Sequence, residues 1–196
     1  IDALRASTVA HDLAIRTDRP TTLAFARLVD GQPSFWFYDE NTAGRMIRRD
    51  DLPDIPATVG AMFFGGISLM VEPCGNAYEA LMLREADTRL IMLDPNIRPG
   101  FINDETAYRA RIARMIAGAD IVKVSDEDLR WLDGDGAIAD LAAGLLSQGP
   151  KLVFVTEGAR GATAFARDHK ILVAAKKVDV IDTVGAGDTF NAGILA

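Results

Sequence analysis

Apolar residues in this chain gather in short blocks separated by stretches of helical spacing. Ala61 to Phe64, Leu90 to Leu93, Ile121 to Val124 and Leu152 to Val155 each read as a strand. Between and after them the spacing predicts helices over Pro73 to Glu85, about Asp104 to Ala117, Asp126 to Leu132 and Ile138 to Leu146. Strands alternating with helices across short connections argue for a parallel sheet with helices on both faces. Two more strands follow, Ala162 to Ala166 and Ile171 to Ala174, with tight turns at Gly158 to Gly161 and Asp168-His169. A β-like run from Lys176 to Ile181 then leads to a helix beginning near Gly187. At the other end, Ile1 to Ser7 reads as a short helix. Thr21 to Val29 and Ser34 to Tyr38 read as strands joined by Asp30-Gly31, a strong hairpin signal. Phe35-Trp36-Phe37-Tyr38 is apolar at successive positions, so both faces of that strand are expected to be covered.

In open sheets of this kind ligands gather at the C-terminal ends of the strands, and the candidate chemistry falls there. The most informative stretch is Asp-Thr-Val-Gly-Ala-Gly-Asp-Thr-Phe-Asn-Ala-Gly, Asp182 to Gly193. Gly185 and Gly187 let the backbone turn its N–H groups toward one point at a helix N-terminus, where unpaired amides and the helix dipole favour an anion such as phosphate. Asp188 stands inside that electropositive cup. A carboxylate there has a use if a proton is taken close to a phosphate; otherwise the stretch is a glycine-rich turn capping a helix. Two other phosphate motifs do not fit. A dinucleotide fingerprint needs a third glycine where Phe190 sits, and no Gly-x-x-x-x-Gly-Lys-Ser/Thr loop occurs.

Three further constellations share the strand ends. Asp94-Pro95-Asn96-Ile97-Arg98-Pro99 follows the second strand block, its prolines stiffening a loop that carries a guanidinium able to pair phosphate in a planar, two-pronged way. A turn with a surface ion pair is the alternative. Lys123 to Asp128 ends the third block and opens a helix, where Ser125 is also a natural N-cap with Asp128 three residues on. Thr156-Glu157-Gly158-Ala159-Arg160-Gly161 follows the fourth, either a plain β-turn or a loop whose glycines permit close backbone approach and whose Thr donates to phosphate.

Together these stretches closely resemble the signatures of the PfkB (ribokinase-like) family of sugar and nucleoside kinases. The resemblance implies an α/β fold: a three-layer α/β/α sandwich with a mostly parallel central sheet and a small β lid. It makes Gly185, Ala186 and Gly187 an anion hole and Asp188 the catalytic base, with Arg98 at the transferred phosphate and Asn96 at the phosphate or the sugar. It assigns Lys123, Ser125 and Asp128 to the magnesium–nucleotide phosphates, mostly through water, although Asp128 stands where the family usually has Glu. Thr156, Gly158 and Gly161 become the nucleotide loop. The implied activity is ATP-dependent phosphorylation of a sugar hydroxyl, with ATP and Mg2+ as cofactors. Tyr38-Asp39-Glu40-Asn41-Thr42-Ala43 resembles the lid segment in which ketodeoxygluconate kinases carry an Arg for the substrate carboxylate. Asp39 stands at that position, which favours a neutral ketohexose such as fructose over 2-keto-3-deoxygluconate. A non-catalytic sugar- or nucleotide-binding relative is the reading from another class. In some members the lid strands also form a homodimer contact.

Composition narrows the partners. The chain has 196 residues, 49% hydrophobic and 25% charged, enough for one full core, and a net charge of −7 that offers nucleic acid no basic footprint. Cys74 is the one cysteine, which rules out an intrachain disulfide and fits a reducing cytoplasm. No apolar run approaches a membrane span, and His11 and His169 do not form a zinc pattern. Family members begin earlier, with a Gly-Gly sugar motif, and continue well past the Asp188 signature. The resemblance therefore implies one kinase domain over residues 1–196, incomplete at both ends, with lid strands at about 21–38 and a nucleotide-binding part at about 121–196.

Overall fold

The computed structural model describes residues 2–29, 32–180 and 182–196; the side chains of residues 26–35 lie outside that description. A short helix, α1 (Asp2–Ala6), and a loop lead to an antiparallel pair, β1 (Leu23–Val29) and β2 (Gln32–Tyr38). The expected Asp30-Gly31 turn itself falls outside the described residues, but Val29 pairs with Gln32 on either side of it.

The apolar blocks then pair side by side in chain order. β3 (Ala61–Gly65), β4 (Leu90–Asp94), β5 (Ile121–Ser125) and β6 (Leu152–Thr156) are parallel, while β7 (Ala162–Phe165) and β8 (Lys170–Val173) extend the sheet antiparallel. The helices are α2 (Cys74–Glu85), α3 (Glu105–Ala117), α4 (Asp126–Asp133), α5 (Ile138–Ser147) and α6 (Ala186–Leu195). The mostly parallel sheet flanked by helices is the architecture read from the hydrophobic pattern.

Ile91, Met92 and Leu93 of β4 and Val122, Lys123 and Val124 of β5 are buried at successive positions, so these central strands are covered on both faces. Along β6 burial alternates. Val153 and Val155 join the core with Ala142 and Leu145 of α5, whereas Phe154 turns to the other face and meets Phe190 of α6 edge-on at 6.2 Å. α6 thus takes the face opposite α5.

Two sequence expectations change. Residues 176–180 form no strand and are exposed, because β8 pairs only with β7 and no further strand among the described residues supplies ladder partners; Ile181 is outside the described residues. The aromatic arm is not covered on both faces either. Trp36 is 47% exposed and Tyr38 65%, while Phe37 reaches across to the body and packs on Phe101 at 4.6 Å. The hairpin stands off the main sheet, so only one of its faces has something to lean on.

Candidate functional site

The site grows from Asp94, the last residue of β4. Its Oδ1 accepts the Asn96 N–H at 3.1 Å, closing a turn that holds Asn96 at φ 44, a left-handed conformation asparagine tolerates better than most residues. Its Oδ2 accepts from Lys123 Nζ at 3.0 Å and from Asn191 Nδ2 at 2.7 Å. Asp94, Lys123 and Asn191 are all buried. One carboxylate therefore joins the ends of β4 and β5 to α6.

A second carboxylate ties the same loops. Ser125 caps α4: its Oγ accepts the Asp128 N–H at 2.9 Å and donates to Asp128 Oδ2 at 2.8 Å, while the Ser125 N–H reaches the same oxygen at 3.2 Å. Asp128 Oδ1 accepts the Ile97 N–H at 2.9 Å, holding the Asn96–Arg98 loop against the helix. The expected capping box is present on Oδ2, and with the Ile97 contact on Oδ1 both oxygens of a side chain that is only 6% exposed are engaged. Arg98, exposed, donates to the carbonyl of Ile97 at 2.9 Å. Between these loops lies a cleft of about 390 Å³ lined by Asn96, Arg98, Lys123, Ser125, Glu127 and Asp128, among others.

Thr156 is the register partner of Ser125 on the adjacent strand, and its Oγ1 points toward the Val124 carbonyl at 3.5 Å. The following turn needs glycine at Gly161, where φ is 106 and an added Cβ would sit 2.1 Å from the Val173 carbonyl oxygen. Gly158 also takes positive φ, at 56. Gly185 caps α6 in the left-handed conformation, φ 79, so the helix starts with no side-chain acceptor over its first amides. Ala186 and Gly187 supply the first turn with Asp188, whose exposed carboxylate has no hydrogen-bond partner among the described residues. Gly187 lies against β5: a Cβ there would be 3.5 Å from Lys123 Nζ.

The structure thus gathers Asn96, Arg98, Lys123, Ser125 and Asp128 around one cleft and sets Gly187 over Lys123. Thr156, Gly158, Gly161, Gly185, Ala186 and Asp188 stand outside the cleft lining. Sequence reasoning missed Asp94 as the hub and passed over Asn191. The available signal was spacing: Asn191 is four residues beyond Gly187 and so shares its helix face. Tyr108 was missed as well. Its hydroxyl is buried without a partner, and burial, with the nearby Asp128 charge, raises its pKa.

Asp39 requires a correction. It is 8% exposed, and its Oδ1 accepts from Arg45 Nη1 at 3.1 Å. A sugar acid approaching the lid would not meet an uncompensated Asp39 charge, because Arg45 already balances it.

A sequence profile described as pfkB family carbohydrate kinase matches residues 1–196. A fructokinase of Rhizobium leguminosarum bv. trifolii is 54% identical over 196 residues, covering 100% of this chain and 60% of that protein. Fructokinase-1 of Zea mays is 35% identical over 179 residues, covering 89% of this chain and 55% of the relative. Among solved structures, fructokinase with bound ATP from Xylella fastidiosa aligns with a TM-score of 0.88 at 28% identity, covering 99% of this chain and 62% of the other. Fructokinase from Vibrio cholerae O395, in its fructose-, ADP- and calcium-bound form, aligns at 0.87 and 27%, covering 99% and 64%. This chain therefore spans about 60% of the length of its first curated relative. With the profile matched along all of it, and the glycine turn, exposed aspartate and tied strand ends in place, the chain belongs to the pfkB family of carbohydrate kinases.

Proposed function

We propose that this chain forms the catalytic part of an ATP-dependent sugar kinase that transfers the γ-phosphoryl group to a hydroxyl of fructose. The observation that carries the reading is the start of α6: a left-handed Gly185 opens the helix amides, and Asp188 stands unpartnered in the first turn. An acceptor hydroxyl between them loses its proton to Asp188 as it attacks. The amides of Gly185 and Gly187 and the Arg98 guanidinium stabilise charge on the phosphoryl oxygens; the Ala186 N–H donates to the Thr183 carbonyl at 3.1 Å and joins them on leaving it. Such catalysis rests on positioning and on electrostatics rather than on covalent chemistry by the protein.

The nucleotide side lies in residues of about 121–196, with Thr156, Gly158 and Gly161 as the phosphate loop and the cleft at Lys123, Ser125 and Asn96 beside it. Lys123, Ser125 and Asp128 would hold the Mg2+–nucleotide, and the ion would supply neutralisation of phosphate charge there. Both Asp128 oxygens are already engaged, so this residue fits an ion held through water and not a direct ligand. Among the described residues no cluster of three or more His, Cys, Asp or Glu side chains suits a metal ion. The exposed faces of Phe25, Trp36 and Tyr38 suit a lid over the sugar and a homodimer contact through the strands at about 21–38. The fructose choice is supported by the fructokinase relatives, since Arg45 offsets Asp39. An acidic chain with one buried cysteine fits a cytoplasmic enzyme without nucleic-acid partners, and no helix among the described residues is long and apolar enough to cross a membrane.

A coupled ADP-release assay on the natural-length protein tests the reading. Fructose should give the higher kcat/KM, and a higher value for 2-keto-3-deoxygluconate would replace the substrate; no ATP consumption with any monosaccharide would remove the kinase assignment.

A further inference from the structure

The helix carrying the anion-binding turn is held in an unusual way. In α6 the one buried residue is polar: Asn191, 4% exposed. Its amide donates at 2.7 Å to Asp94, 97 positions earlier in the chain, and its own Oδ1 is buried without a partner. Turning the amide over would set Oδ1 against the Asp94 carboxylate, so electrostatics fix the donor toward Asp94. Phe190 supplies the apolar contact on Phe154, through a ring that is only half-buried. A hydrogen bond to a charged group sets a single register, as a small apolar contact does not.

The same carboxylate fixes the other parties. Asp94 Oδ2 also accepts from Lys123, whose ammonium lies beneath Gly187, and Oδ1 holds the Asn96 N–H at the head of the Arg98 loop. Asn191 sits one helical turn beyond Gly187 on the same face. From this geometry we infer that Asn191 is a positioning residue for phosphoryl transfer, tethering the Gly185–Asp188 turn through Asp94 to the loop that bears Arg98. Asn191 touches neither sugar nor nucleotide in this role. It acts by keeping the base and the anion-binding amides in register with the guanidinium on the neighbouring strand end. This inference rests on the proposed kinase activity, while the tether itself can be read without it.

The test uses Asn191→Leu, which nearly preserves volume but removes the donor, and the exchange of partners, Asp94→Asn with Asn191→Asp, which rebuilds the hydrogen bond in reverse. In the natural-length protein, amide hydrogen exchange over residues 183–190 should quicken in Asn191→Leu and return toward wild type in the exchanged pair. Turnover should follow, kcat falling about 10- to 100-fold in Asn191→Leu as expected for a misplacement of about 1 Å, with the sugar KM changed far less. The exchanged pair should recover most of that loss relative to Asn191→Asp alone. Unchanged hydrogen exchange in Asn191→Leu overturns the tether, and faster exchange with wild-type kcat overturns its role in catalysis. So does an exchanged pair no better than the single variants. A wild-type protein that phosphorylates no sugar removes the kinase reading instead, and the exchange measurement alone then decides the tether.

Discussion

The N-termini of α4 and α6 begin with the same arrangement and leave their aspartates in opposite surroundings. Each helix follows a segment at the strand-end side of the sheet, and each carries an aspartate as its third residue, Asp128 in one and Asp188 in the other. In α4 the N-cap is Ser125, whose hydroxyl and N–H fold Asp128 back into a capping box; Asp128 is buried and also holds Ile97. In α6 the N-cap is Gly185, with no side chain and a left-handed backbone, and nothing draws Asp188 back. The carboxylate stays in solvent beside open amides. The cap residue therefore decides whether a carboxylate in the first helical turn is folded back into the scaffold or left free in solvent.

The strongest test of that contrast is Asp188→Asn in the natural-length protein. The amide is near-isosteric and cannot take a proton, so kcat should fall about 10²- to 10⁴-fold, the usual cost of losing a general base. Because Asp188 is exposed and unpartnered, the melting temperature should stay at the wild-type value. Near wild-type turnover would show that the free carboxylate is not the base.

Asp128→Ala should do the reverse. It strips a box and a loop tie, leaving the Ile97 and Ser125 N–H groups short of partners in a buried setting. A loss of about 2–4 kcal/mol is expected from the cap and the unpaired donors together, read from the urea midpoint at constant slope. Activity per folded molecule should fall much less than in Asp188→Asn. Unaltered stability would place Asp128 with the reactive groups instead.

Much of this was legible in the residues. Strand blocks of four residues, apolar except for Lys123, pointed to the sheet because parallel strands buried on both faces need no alternation. Ser125 with Asp128 announced its own capping box, and the glycines at 158, 161 and 185 do take positive φ. What was not legible was long-range and polar. Asn191 bonds a residue 97 positions away, and a helix-interior asparagine carries no local mark of its partner. Asp39 looked like an unbalanced charge because its neutralising partner, Arg45, is six residues on, past a turn. Lys176 to Val180 have the composition of a strand but pair with no strand among the described residues, and composition cannot supply one.

Cys74 carries the comparison to a third helix start, with the smallest expected effect. It is the first residue of α2, where the helix dipole ordinarily lowers a thiol pKa and makes it reactive. Here burial dominates, helped by the charges of Glu72 and Asp39 against the opposing Arg45, and the thiol is pushed up to about 11. Its Sγ donates to the carbonyls of Ser68 at 3.1 Å and Val71 at 3.4 Å, which favours keeping the proton. The native protein at pH 8 should leave Cys74 unmodified by iodoacetamide, while the urea-unfolded chain reacts at once. The unfolded thiol, near 9.0, releases its proton before the folded one at about 11. The contribution to stability is therefore intact below pH 9 and fades as the pH rises toward 11. Comparing the urea midpoints of wild type and Cys74→Ala across that range isolates it: the gap between them should narrow as the pH climbs. Rapid labelling of the native thiol at pH 8 would mean that the helix dipole prevails there, and that burial does not silence this helix start as the capping box silences α4.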